Sequence, residues 1–161
     1  MAELEKIVEV HGAMVRRIAT IYERDPSMVD ELVQDVWIAI WEALSRVRNP
    51  ATLKGYIART TQNICVTHVR RALVRRTVPL EDTVHDPSVT PDEAAERAIN
   101  LARLLEAVRS LPENLKAVAT LYLEDMSSQQ IAQSLGITEV NVAVRLHRAK
   151  AAIRIRCGGP S

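Results

Sequence analysis

The sequence predicts an all-α protein, two small helical domains joined by a flexible acidic linker, with a helix-turn-helix in the second. Three observations carry this. Apolar residues recur at helical spacing over several long stretches, and only five glycines interrupt 161 residues. Between Leu73 and Thr90 the periodicity dissolves into Pro79, Pro87 and polar residues, a run too long for a compact loop. Near the C-terminus, two amphipathic stretches flank Gly136 at the spacing of helices that cross through a tight turn. The expected boundaries are residues 1–72, 73–90 and 91–161. Hydrophobic content of 47% is enough for packed cores, and 3% aromatics with no Phe makes those cores aliphatic.

Leu4, Ile7, Val8, His11, Val15, Ile18, Ile21 and Tyr22 mark a first helix of about six turns. His11 lies on its apolar side without a partner at ligand spacing, so it reads as a packing residue. Asp25-Pro26-Ser27 breaks the chain and starts the second helix. Its stripe is Val29, Leu32, Val33, Val36, Ile40, Leu44 and Val47, but Trp37, Ala39 and Trp41 widen it until residues 36–41 are apolar all round. A helix apolar on more than one face is either central in its own domain or waiting for a partner. Asp30, Glu31, Gln34 and Asp35 precede that stretch, as a solvated first turn or as a docking surface.

Pro50 forces Asn49 out of helical geometry and makes Val47–Thr52 a loop. A third helix then runs to about Ala72, with Leu53, Tyr56, Ile57, Thr60, Ile64, Cys65, His68 and Val69 inward. Arg59, Asn63, Val66 and Arg70 share the other side, with Gln62 beside them. That face suits a single nucleic-acid strand, and equally a mixed solvated surface. Glu81, Asp82 and Asp86 make the following linker acidic.

Thr90-Pro91-Asp92-Glu93 is a helix start: a cap, a proline at the first position, then acids at the positive dipole end. Ala94, Ala98, Leu101, Leu105 and Val108 form the stripe that follows. Leu111-Pro112 restarts the chain, and Leu115, Val118, Leu121 and Tyr122 carry a fifth helix. Ser127 with Gln130 reads as a capping box, Gly136 supplies a left-handed turn, and Thr138 with Asn141 starts the last helix. Its inward stripe is Val142, Leu146, Ala149 and Ile153, which turns Thr138, Glu139, Asn141, Arg145 and Arg148 outward. Arg145, Arg148, Lys150, Arg154 and Arg156 make it basic, as a major-groove reader requires; the plainer alternative is a solvated hairpin with one basic face.

A net charge of +1 conceals segregation. Residues 1–71 hold ten Lys/Arg against nine Asp/Glu, residues 72–110 five against seven, and residues 111–161 six against four. Two cysteines, Cys65 and Cys157, are too few for a zinc module or a disulfide framework. No apolar run reaches membrane-spanning length and the first residues are acidic, so a cytoplasmic chain without membrane insertion is expected. No nucleophile–base pair, metal cluster or phosphate-cradling loop stands out, which argues against an enzyme and against a cofactor.

Two stretches carry a resemblance. Asp30-Glu31-Leu32-Val33-Gln34-Asp35-Val36-Trp37-Ile38-Ala39-Ile40-Trp41, with Tyr56-Ile57-Ala58-Arg59-Thr60-Thr61-Gln62-Asn63 and Val69-Arg70-Arg71, resembles the second conserved region of bacterial extracytoplasmic-function sigma factors. Leu111-Pro112-Glu113 through Arg145-Leu146-His147-Arg148-Ala149-Lys150 is similar to their fourth region. The resemblance covers residues 5–71 and 95–156 in the family's order. It implies a subunit that gives core RNA polymerase its promoter DNA, held in check by an anti-sigma factor. By the same resemblance Asp30, Glu31, Gln34 and Asp35 dock on the polymerase. Asn49 lies in the loop that receives a flipped base of the minus-10 element, Asn63 helps part the strands, and Arg59, Arg70 and Arg71 meet phosphates. Thr138, Glu139, Asn141, Arg145 and Arg148 match the minus-35 reading surface, and the linker runs near the polymerase cleft. Tyr56 stands where the family usually has Trp, and Thr67 replaces a common Asp. Ala143 and Val144 stand where a basic residue and a serine are frequent, so either one phosphate contact is missing or Val144 packs on a neighbour. The rival readings are a sigma mimic that captures an anti-sigma factor, a group that as a family carries a receiver domain, and a plain helix-turn-helix regulator.

Overall fold

A computed structural model describes residues 2–46, 53–75 and 93–158. Among them are seven α-helices and one short 3-10 helix: α1 (Ala2–Tyr22), α2 (Pro26–Ala43), the 3-10 turn (Leu44–Arg46), α3 (Leu53–Arg75), α4 (Glu93–Arg109), α5 (Glu113–Leu123), α6 (Ser128–Leu135) and α7 (Glu139–Arg156). The loop holding Asn49 and the acidic linker with the Thr90-Pro91-Asp92 cap lie outside the described residues.

The helix starts follow the local chemistry. The Asp25 carboxylate accepts from the Ser27 backbone N–H, with Pro26 at the first helical position of α2. The capping box of α6 is complete: Ser127 Oγ accepts from the Gln130 N–H at 3.1 Å, and Gln130 Oε1 accepts from the Ser127 N–H at 2.8 Å. Gly136 ends α6 at φ 68°, a left-handed conformation that glycine adopts without steric cost. Thr138 Oγ1 then accepts from the Asn141 N–H and starts α7.

Helices α1, α2 and α3 pack together, as do α4 to α7, and α3 and α1 also meet α4, α5 and α6. One apolar cluster runs through both halves, from Val15, Ile18, Val36 and Ile57 to Val108, Leu121, Ile131 and Val142. Polar bonds cross the seam. Gln62 donates to the Ala117 carbonyl at 2.9 Å, Ser134 to the Gly55 carbonyl at 3.0 Å, and Arg109 to the Thr20 carbonyl at 2.7 Å.

Several expectations need correction. Gln62 is buried rather than beside the exposed face of α3, because its amide serves that seam. Helix α3 continues to Arg75, three residues past Ala72, since no helix breaker occurs before Pro79. Helix α2 tightens into a 3-10 turn at Leu44. In α4 the residues Ala94, Ala98 and Leu101 are exposed; only its later turns, with Leu104, Leu105, Ala107 and Val108, reach the core. Tyr122 is exposed too, with the Lys150 ammonium 4.6 Å from its ring centroid. Cys65, by contrast, is in the core as its inward position implies: burial pushes its thiol up to about 12, which keeps it protonated and unreactive.

Candidate polymerase and nucleic-acid interfaces

Helix α2 resolves the question posed by its all-round apolarity. Val29, Leu32, Val36 and Ile40 are buried, whereas Ile38 is 57% and Trp41 49% exposed. The helix is half covered, and its outer side has no partner among the described residues. At about 100° per residue, Glu31, Gln34, Asp35, Ile38, Trp41 and Glu42 share that side. Two large apolar side chains therefore sit within a ring of carboxylates and an amide. Asp30 lies at the edge, its Oδ1 2.9 Å from Arg16 on α1.

On α3, Arg59, Asn63 and Arg70 are exposed and fall on one line, with about 16 Å of helix rise between the first and the last. Arg71 is exposed as well but lies about a quarter-turn away. Asn63 and Arg71 line an open groove of about 1300 Å³ that also touches Asp35 of α2 and Lys116 of α5. Arg70 already has a partner: its Nη2 is 2.6 Å from Glu113 Oε1 at the start of α5. Lys116 sits 5.3 Å from the centroid of the Tyr22 ring, and burial holds its ammonium pKa below the usual value.

In the C-terminal half, α6 and α7 cross as a helix-turn-helix with Ile131, Ala132, Val142 and Ala149 between them and the core. Thr138, Glu139, Asn141 and Arg148 are exposed; Arg145 is half-buried on the flank of α7. Opposite the buried Val142 and Ala149, the outermost positions are Val140 and Val144, with Ala143 and His147 beside them. Val144 is 41% exposed and Val140 72%. Helix α7 carries five basic residues against the single acid Glu139.

The seam between the halves was not read from the sequence, and its anchors include Arg17, Gln62, Glu113 and Glu124.

Comparison with known proteins agrees with this geometry. Residues 7–86 match the family model for sigma-70 region 2, and residues 101–153 match that for sigma-70, region 4. A probable RNA polymerase sigma factor, RfaY of Xanthomonas campestris pv. campestris, is 28% identical over 155 residues, 92% of this chain and 39% of that protein. The ECF RNA polymerase sigma factor SigM of Mycobacterium tuberculosis is 27% identical over 147 residues, covering 91% of this chain and 73% of SigM. The chain thus spans well under half of the first relative and about three quarters of the second. Among solved structures, CnrH in complex with the cytosolic domain of CnrY superposes with a TM-score of 0.72 at 22% identity, over 98% of this chain and 89% of CnrH. RpoE in complex with the anti-sigma factor NepR, from Bartonella quintana, gives 0.75 at 15% identity, over 98% of both chains. At those identities the likeness concerns the fold. The two family models, in order and together spanning most of the sequence, place the chain in the sigma-70 family, and its relatives include extracytoplasmic-function (ECF) sigma factors.

Proposed function

We propose that this chain is an alternative sigma factor: it binds core RNA polymerase, directs it to a class of promoters, and is released from an anti-sigma factor when needed. The observation that carries this reading is the outer face of α2. Ile38 and Trp41 are exposed on a helix whose other side is fully buried, and Glu31, Gln34, Asp35 and Glu42 surround them. An apolar centre with a charged rim is the anatomy of a protein–protein interface. The partner it fits carries a basic rim, and the family resemblance makes that partner the polymerase.

The roles that follow are these. Asp30, Glu31, Gln34 and Asp35 hold the polymerase. Arg59, Arg70 and Arg71 follow the phosphates of the minus-10 region, Asn49 and Asn63 act on its separated strand, and Arg70 exchanges Glu113 for phosphate. Thr138, Glu139, Asn141, Arg145 and Arg148 face the minus-35 element from α7. The chain performs no reaction itself, needs no cofactor or metal, and works in the cytoplasm where polymerase is found. Co-elution of the purified chain with core polymerase tests the reading. A stable one-to-one complex supports it, and failure to associate at micromolar concentration leaves only a DNA-binding regulator or a mimic.

A further inference from the structure

Val140 and Val144 occupy the outermost ridge of α7, 72% and 41% exposed and four residues apart on one face. An isolated exposed valine needs no explanation. Two in register, at the apex of a helix whose flanks carry Asn141, Arg145 and Arg148, are a different matter. Neither belongs to the buried core, so core burial does not account for them. Helix propensity does not either, because β-branched side chains are weaker helix formers than Ala or Lys. Five basic residues on the same helix select a polyanionic partner for this face. The major groove of DNA offers one apolar group on its base edges, the C5-methyl of thymine.

We infer that Val140 and Val144 are specificity-determining residues that read thymine methyl groups in the upstream promoter element. The inference rests on the sigma-factor reading and adds to it which bases this chain selects. Side chains at i and i+4 stand about 6 Å apart, and base pairs rise about 3.4 Å. The pair therefore meets two thymines that are neighbours or one base pair apart. Asn141 and Arg148 border the ridge and supply hydrogen bonds to the adjoining bases. Ala143 leaves room for the duplex to approach without adding a phosphate contact.

The test uses the full chain bound to core polymerase and a duplex library randomised over the upstream and downstream elements. Selected sequences should be enriched in thymine at two positions within a window of three base pairs. Replacing each of these thymines by deoxyuridine removes only the methyl group and should weaken binding about fourfold per position, the loss expected for one buried methyl. Val140→Ala should abolish the thymine–deoxyuridine difference at one position and Val144→Ala at the other, with the salt dependence unchanged because no phosphate contact is touched. Both side chains are exposed, so unchanged thermal melting by circular dichroism accompanies the variants.

Equal binding of thymine and deoxyuridine at every enriched position overturns the inference while leaving promoter reading intact. So does discrimination that survives both valine substitutions. Enrichment confined to the downstream element, with no upstream preference, overturns the inference and the minus-35 role together. Self-association of the chain that Val144→Ala abolishes, with thymine and deoxyuridine bound alike, assigns the ridge to a second copy instead.

Discussion

Glu124, at the C-terminal end of α5, accepts three hydrogen bonds from the Arg17 guanidinium of α1, at 2.6, 2.9 and 3.2 Å. The carboxylate is nearly buried, with 6% of its side chain exposed, and the arginine closes over it from the solvent side. Lys54 of α3 donates to the Glu124 backbone carbonyl at 3.1 Å, so three helices meet at one residue. The pair links the two halves through three hydrogen bonds. Arg17→Ala leaves the carboxylate without its charge partner and should lower stability by about 1–2 kcal/mol, the low end for charged hydrogen bonds because Arg17 is screened by solvent. Glu124→Gln keeps an acceptor and should cost less. Urea denaturation decides it; an unchanged midpoint for Arg17→Ala would make the pair incidental.

The fold was largely legible because its punctuation is chemical. Asp25-Pro26, the Ser127/Gln130 box, Gly136 and Thr138 each act within a few residues of themselves, and each appears where the sequence indicates. What could not be read was the seam. Gln62 faces a carbonyl 55 residues away and Arg17 a carboxylate 107 residues away, and helical periodicity assigns such residues to solvent. The stripe of α4 failed for a related reason. Ala94, Ala98 and Leu101 have the right spacing, yet those turns extend past the helices that could cover them. The site residues on α2, α3 and α7 could be named because a face is a local property. That Arg70 is already engaged by Glu113 is not.

Acid should weaken the fold in two steps. Burial, and then the nearby positive charge of Lys54, holds the His11 imidazole pKa below its usual 6.5. The unfolded chain therefore takes up that proton first as pH falls. The His11 contribution is complete above pH 6.5 and is lost as pH falls through the lower folded value. For Glu23, burial raises the pKa, but hydrogen bonds from His68 and from the Asp25 and Arg24 backbone outweigh it and hold the carboxyl below 4.5. The sign is the same, so its contribution is present above 4.5 and lost at lower pH. His11→Gln should remove the upper step, which sets in as pH falls through 6.5, and leave the lower step in place. A profile that keeps its upper step in this variant assigns the titration to another group.

The outer face of α2, proposed to dock on the polymerase, should respond to small changes. Truncating one partner of a desolvated polar pair costs about 2–5 kcal/mol at an interface. Gln34→Ala combined with Asp35→Ala should therefore abolish association with core polymerase at micromolar concentration. Both side chains are exposed, so helicity and melting should not change. Trp41→Ala should weaken association as well, since it removes the larger of the two exposed apolar groups. Undiminished binding by the double variant would exclude this face.

Glu113 occupies the Nε–Nη2 edge of the Arg70 guanidinium and so competes with a phosphate for it. Exposed ion pairs are worth about 0.2–1 kcal/mol, so Glu113→Gln should raise affinity for a single-stranded minus-10 oligonucleotide by about 1.4- to 5-fold. Arg70→Ala should lower it and reduce the salt slope by about one. Fluorescence anisotropy at several salt concentrations measures both. Equal affinities for the wild type and Arg70→Ala would place Arg70 outside the DNA path.

Transcription from pooled genomic fragments, by core polymerase with and without this chain, tests the central claim most directly through the mapped 5′ ends. Adding the chain should create a discrete set of start sites that share two spaced upstream elements. That set should vanish with the Gln34→Ala, Asp35→Ala variant. Permanganate reactivity of thymines at those starts should fall in Asn63→Ala while upstream protection persists. Identical 5′ ends from core polymerase with and without the chain would contradict the assignment as a promoter-specificity factor.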